Sequence, residues 1–127
     1  MILLDTNALL WLVLSPENLG PRTRERLMAA AFVHHSAISH VEIRIKQAKG
    51  KIRVGEDFVH RLGESGLRAL PLTDVHAASI ASIPELEGHD PFDRMLVAQA
   101  AAEGLDFLTA DRRLLALGYD WIIDARS

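Results

Sequence analysis

The stretch AQAAAEGLDFLTADRRL, residues 98–114, carries the reading of the fold. An alanine-rich helical pattern stops at Gly104, an apolar run follows over 105–109, and Asp111 stands where the next helix opens. Glycine just past a helix end turns the chain left-handed and releases it into a strand, because it has no Cβ to clash. The same order recurs: RIKQAKG ends at Gly50, GESG at Gly66 before LRALPL, and RRLLALG at Gly118 before YDWII. The apolar runs ILL, FVHHSAI, LDFL and WII mostly do not alternate with polar residues, as expected of strands covered on both faces. Helices alternating with buried strands imply an α/β fold, a three-layer sandwich with a central, mostly parallel sheet of about five strands flanked by helices. Strands are expected near 2–5, 32–38, 67–72, 105–109 and 121–123. Helices are expected near 7–14, 21–31, 40–49, 56–65, 74–82, 91–103 and 111–117.

The bulk properties narrow the class. A chain of 127 residues with 49% hydrophobic and 24% charged residues fits one globular domain, spanning 1–127, and excludes a disordered chain. The formal net charge of −3 advertises no general affinity for nucleic acid, so any such role must rest on a local basic stretch. The lack of cysteine rules out disulfides and thiolate metal sites and suits a reducing cytosol. MILLDTN carries no basic residue ahead of its apolar run and an acid at position 5, unlike a secretory signal. No apolar run approaches the roughly 18 residues of a membrane span. A soluble, cytoplasmic protein with no membrane partner is expected.

The acids fall at the joints of this pattern. Ser39 and Glu42 have the spacing of a capping box, and Glu42 is one turn from Lys46. In GHDPFDRM, Asp90 precedes Pro91 as a helix N-cap would, and Asp93 lies near the positive helix end. Asp111 is a natural N-cap, with Thr109 beside it. Asp5 has no such role: it ends a strand expected to be central, where a lone charge is costly to desolvate. No lysine or arginine in MILLDTNALLW partners it. In a parallel sheet the strand C-termini and the following helix N-termini share one edge, where ligands bind. Asp5, Glu42, Asp111 and the Asp90–Asp93 turn all map to that edge. So many converging carboxylates repel one another unless a hard divalent cation sits among them, and all-oxygen ligation points to Mg²⁺ or Mn²⁺.

LLDTNALLW, AISHVEIRIKQAKGKI, HDPFDRMLVAQAAAEG and FLTADRRL resemble, in order and spacing, the successive motifs of PIN-domain proteins, in particular VapC-type toxins of bacterial toxin–antitoxin systems. The resemblance covers essentially the whole chain. It implies a metal-dependent endoribonuclease whose acids fall on Asp5, Glu42, Asp93 and Asp111, with Thr6, Asn7 and Thr109 lining the same pocket. Asp5 and Asp93 are assigned as direct metal ligands. Glu42 and Asp111 complete the set directly or through water, and either can help deprotonate an attacking water. Asn7 and Thr109 are expected to orient those carboxylates by donating hydrogen bonds. Asp90 stays open between helix cap and outer ligand to the metal. The resemblance further implies a VapB-like antitoxin, offering a basic residue to the pocket, and a homodimer.

The basic stretch RIKQAKGKIR carries Arg44, Lys46, Lys49, Lys51 and Arg53 without an acid. With Arg112 and Arg113 it is either a phosphate-binding surface for RNA or a solvated face. Arg94 suits local charge balance beside Asp93. Of the six histidines, only His40 and His89 neighbour acidic motifs, and none has metal-ligand spacing. Two other functions compete: a Mg²⁺-dependent phosphatase or phosphoacceptor with Asp5 as nucleophile, and a non-catalytic module that only binds an antitoxin. Against the former, position 7 is Asn rather than a second Asp, and LTADRR has no lysine ending its strand.

Overall fold

The computed structural model describes residues 1–127. Five strands, β1 (Ile2–Leu4), β2 (Val33–Ser36), β3 (Arg68–Leu70), β4 (Asp106–Thr109) and β5 (Ile122–Asp124), form one sheet in the order β3-β2-β1-β4-β5. Every pairing is parallel, so the sheet is wholly rather than mostly parallel. Parallel neighbours need a crossover, and a helix supplies it between each consecutive pair of strands. The helices are α1 (Thr6–Leu14), α2 (Pro21–Ala29), α3 (Ala37–Ala48), α4 (Phe58–Glu64), α5 (Asp74–Ser79), α6 (Pro91–Glu103) and α7 (Arg112–Leu115). Single 3₁₀ turns occupy Pro16–Asn18, Ile80–Ser82 and Pro84–Leu86.

Side-chain alternation along β1 explains why its sequence does not alternate. Ile2 and Leu4 face one layer, among Ala8 and Leu9 of α1, Ile43 of α3, and Phe58 and Leu62 of α4. Leu3 faces the other, against Phe107 and against Leu96, Val97 and Ala100 of α6. All three β1 residues are essentially inaccessible, and burying each such side chain is worth about 1.5–3 kcal/mol. A three-residue strand thereby joins both cores. The registers Leu3–His34 and Leu3–Phe107 fix it between β2 and β4.

The element boundaries differ from the expected ones at informative places. β2 stops at Ser36 rather than 38, because the Ser36 hydroxyl accepts from Ile38 N at 3.0 Å and caps α3. The helix thus begins at Ala37, not 40, and Ser39 lies inside its first turn, so Ser39 and Glu42 form no capping box. Expected helix 74–82 ends as α5 at Ser79 and tightens into a 3₁₀ turn, since Ile83 is drawn out of helical geometry before Pro84. The helices expected over 21–31, 56–65 and 111–117 are shorter, at Pro21–Ala29, Phe58–Glu64 and Arg112–Leu115. Gly104 does turn left-handed at φ +66°, closing α6 before β4. No helix is long and apolar enough to cross a membrane.

Candidate active site

The strand order sets the location. From β1 the chain runs outward through β2 and β3, then returns to place β4 and β5 on the other side of β1. The carboxyl ends of β1 and β4 therefore flank a topological switch point, where a crevice opens in such sheets. Asp5 directly follows β1 and Asp111 follows β4, while Glu42 comes from α3 and Asp90 and Asp93 from the start of α6. With Thr6, Asn7 and Lys46 these acids line one hollow of about 170 Å³ that has no hydrophobic residue in its wall.

Each acid is held differently. Asp5, only 5% exposed, does cap a helix, contrary to expectation: its Oδ1 accepts from Ala8 N at 2.7 Å, and α1 starts at Thr6 rather than 7. Its Oδ2 accepts from the Thr109 hydroxyl at 2.5 Å. Burial pushes the Asp5 carboxyl up to about 6, against the pull of those two hydrogen bonds and with help from the negative charges of Glu42 and Asp111. Thr109 in turn accepts from Asp111 N at 3.0 Å, so one hydroxyl ties the ends of β1 and β4 together. Asp111 caps α7, its Oδ1 accepting from Arg113 N at 2.8 Å and Leu114 N at 3.3 Å.

Asp90 caps α6 through Phe92 N at 2.9 Å and Asp93 N at 3.3 Å, so its cap role is real and it also lines the hollow. Asp93 is half-buried and its carboxylate accepts no hydrogen bond from any protein group. Burial first, then Asp90, Asp111, Asp5 and Glu42, push it up to about 7. Glu42 has both oxygens engaged, Oε1 by the Thr6 hydroxyl at 2.6 Å and Oε2 by the Lys46 ammonium at 2.5 Å. The Thr6 hydroxyl also lies 3.0 Å from that of Ser39. Its one hydrogen goes to the carboxylate, which can only accept, and Ser39 then donates to it.

No three His, Cys, Asp or Glu side chains converge tightly enough to hold a metal ion by themselves. An open wall of oxygen donors, one carboxylate of which is uncommitted, fits a hard ion that keeps several of its waters, as Mg²⁺ does with one or two carboxylates. It does not fit a closed, protein-only shell.

The other expected residues differ in how they stand to the hollow. Asn7 is exposed at the rim and hydrogen-bonds none of the acids; Thr6 orients a carboxylate instead. Arg44, Lys49, Arg112 and Arg113 are exposed and outside the hollow, whereas Lys46 lies in its wall. Arg94 does not balance Asp93. It forms no ion pair, its buried Nε is unpaired, and it borders a different hollow beside Ile80 and Pro84. None of the six histidines lines the acidic hollow. His40 meets His35 at 3.1 Å. His76 is fully buried, its Nδ1 accepting from Thr73 N at 3.1 Å and its Nε2 facing Glu103 at 2.7 Å. The buried hydrogen bond from Ser36 to Gln99, which fastens the start of α3 to α6, escaped the sequence reading. Its signal was the lone polar Gln99 in the apolar run LVAQAAA.

An acid-lined hollow at the switch point of this sheet matches the resemblance carried by the motifs. The family model of the PIN domain matches residues 2–118, and the chain belongs to that family. Among curated relatives it is similar to ribonuclease VapC22 of Mycobacterium tuberculosis (strain ATCC 25618 / H37Rv). The two are 27% identical over 116 residues, covering 89% of this chain and 88% of that protein. Among solved structures it resembles a chain of DNA-bound VapBC from Salmonella typhimurium at a TM-score of 0.70 and 23% identity, covering 97% of this chain and 96% of that one. A chain of VapBC2 from Rickettsia felis, bound to a fragment of promoter DNA, superposes at a TM-score of 0.69 and 18% identity, covering 98% and 97%.

Proposed function

We propose that this protein is a divalent-metal-dependent endoribonuclease and the toxin of a type II toxin–antitoxin pair. The observation that carries the reading is the hollow in which Asp5, Glu42, Asp90, Asp93 and Asp111 share one wall with no apolar residue. Helix capping accounts for Asp5, Asp90 and Asp111 singly but not for their meeting Glu42 and Asp93 in one hollow, where burial first and mutual repulsion second push Asp5 up to about 6 and Asp93 up to about 7. Such clustering is tolerated where a cation resides. The relative named as a ribonuclease and the neighbours named as VapBC support the class of substrate and partner.

Asp93, with both oxygens uncommitted, and Asp5 would hold Mg²⁺ or Mn²⁺, with Asp111 and Glu42 direct or through water and Asp90 outermost. The ion would supply a nucleophilic water near neutral pH and neutralise charge on the phosphoryl oxygens. Thr109 keeps Asp5 and Asp111 at a fixed separation, and Thr6 fixes the Glu42 carboxylate. Hydrolysis of this type leaves a 5′-phosphate and a 3′-hydroxyl. Exposed Arg44, Lys49, Arg112 and Arg113 would bind flanking phosphates and make affinity salt-dependent. A homodimer, a VapB-like antitoxin offering a basic residue to the hollow, and a cytoplasmic location belong to the same reading.

The test is cleavage of single-stranded RNA by the purified protein with Mg²⁺, with Mn²⁺ and with chelator. Asp93→Asn, which removes a charge but no protein hydrogen bond to that carboxylate, should lower the rate at least 100-fold while the fold is kept. Cleavage undiminished in chelator, or by Asp93→Asn, overturns the reading. Release of phosphate from phosphomonoesters without cutting of RNA would replace it with a phosphatase.

A further inference from the structure

We propose that the Lys46 ammonium is the resident cation at the Glu42 end of the hollow, so that the pocket accepts one divalent ion, at the Asp5–Asp93–Asp111 end, rather than two. The inference rests on the metal-site reading above and adds a role that the sequence alone did not assign. Lys46 stands one helical turn after Glu42, and its ammonium meets Glu42 Oε2 at 2.5 Å. The other Glu42 oxygen is taken by Thr6. A divalent ion on Glu42 Oε2 would have to displace the Lys46 ammonium or sit against it, a conflict that the neutral donors to Asp5 do not create. Glu42 is 5% exposed, and a carboxylate so buried is stable only with its charge matched and its oxygens bonded. Lys46 is the only basic residue in the wall, among five acids.

The ammonium cannot share its corner with a second ion. A divalent cation placed on Glu42 Oε2 would face the Lys46 ammonium at contact distance, where like charges repel even beside solvent. Asp93 differs from Glu42: it lines the same hollow but accepts no protein hydrogen bond and forms no ion pair, whereas the Lys46 ammonium is bonded to Glu42. Glu42 is thus matched by a cation of the chain, and Asp93 is not.

This division has a chemical consequence. Phosphoryl hydrolysis needs positive charge at both the attacking and leaving sides, which two ions provide in two-metal enzymes. Here a lysine with two of its three N–H groups unengaged by Glu42 stands ready to bond a substrate phosphate oxygen.

The experiment counts Mn²⁺ bound to the RNA-free, metal-stripped full chain, by electron paramagnetic resonance of the unbound ion and by calorimetry. Wild type is expected to bind one ion tightly and Lys46→Met two. Lys46→Arg, which keeps the charge, stays at one. Adding Glu42→Gln to Lys46→Met removes the new ligand and returns the count to one. Two tight ions in wild type overturn the proposal whatever the variants do, and so does a folded Lys46→Met variant that still binds one. Should Lys46→Met fail to fold, Lys46→Gln takes its place with the same expected count. Wild type that binds no Mn²⁺ refutes the metal-dependent reading itself, whereas RNA cleavage with an unchanged count refutes only the role of Lys46.

Discussion

Replacing Asp5 with asparagine should make the metal-free protein more stable near neutral pH, although the residue is buried and bonded on both oxygens. Asp5 is pushed up to about 6 chiefly by desolvation. A carboxyl whose folded value lies above its unfolded value of about 3.9 holds its proton more tightly in the folded state. Its contribution to stability is therefore complete below pH 4 and lost as pH rises through 6, leaving the metal-free fold about 3 kcal/mol weaker at pH 7.5 than this group alone would make it in acid. Asparagine carries no charge to desolvate. Its oxygen still accepts from Ala8 N, but its amide must donate to a Thr109 oxygen that now donates to Asp5. That rearrangement gives back part of the gain, roughly 1 kcal/mol, so a net of about 2 kcal/mol remains. For a chain of this size the melting temperature should rise by roughly 5–10 °C. Thermal unfolding followed by circular dichroism in chelator, at pH 7.5 and near pH 4, measures it. The variant should gain at pH 7.5 and lose or break even near pH 4. Equal destabilisation at both pH values would refute the account of Asp5 as a charge held at a cost for a cation.

Mg²⁺ or Mn²⁺ should raise the melting temperature of wild type much more at pH 8 than at pH 5, since Asp5 and Asp93, pushed up to about 6 and about 7, must both lose protons to bind it. A pH-independent shift in the same scan would count against both as ligands. Thr109→Val removes the donor to Asp5 and the acceptor for Asp111 N. It should destabilise the protein by about 1–3 kcal/mol in denaturant titrations and move the pH dependence of Mn²⁺ binding upward, because a hydrogen bond that lowers the Asp5 value is gone. An unshifted profile would leave Thr109 a purely structural residue.

The sequence carried the architecture because its two signals, glycine past a helix end and an unbroken apolar run after it, are local. Gly104 had to sit where α6 turns left-handed, and ILL had to be apolar throughout because β1 feeds both cores. The errors at Ser36 and Ser39 have one origin. Both serines are competent caps, and the choice went to Ser36 because its hydroxyl also meets Gln99 of α6, 63 residues away. The assignment of Asp5 as uncapped failed for a related reason: a residue ending a strand also precedes the helix that follows it, and both roles share one carboxylate.

The sequence by itself determined that helices and covered strands alternate, which implies a mostly parallel sheet, and that acids stand at the ends from which such a sheet binds ligands, since the alternation and the acids are read from neighbouring residues. Only the tertiary structure decided that Thr109 clamps Asp5, that the Glu42–Lys46 pair lies in the same hollow as the aspartates, and that Arg94 turns away from Asp93. Those outcomes depend on which charges the packed helices leave buried together, and electrostatic energy in a desolvated hollow is set by distances across the fold, not along the chain.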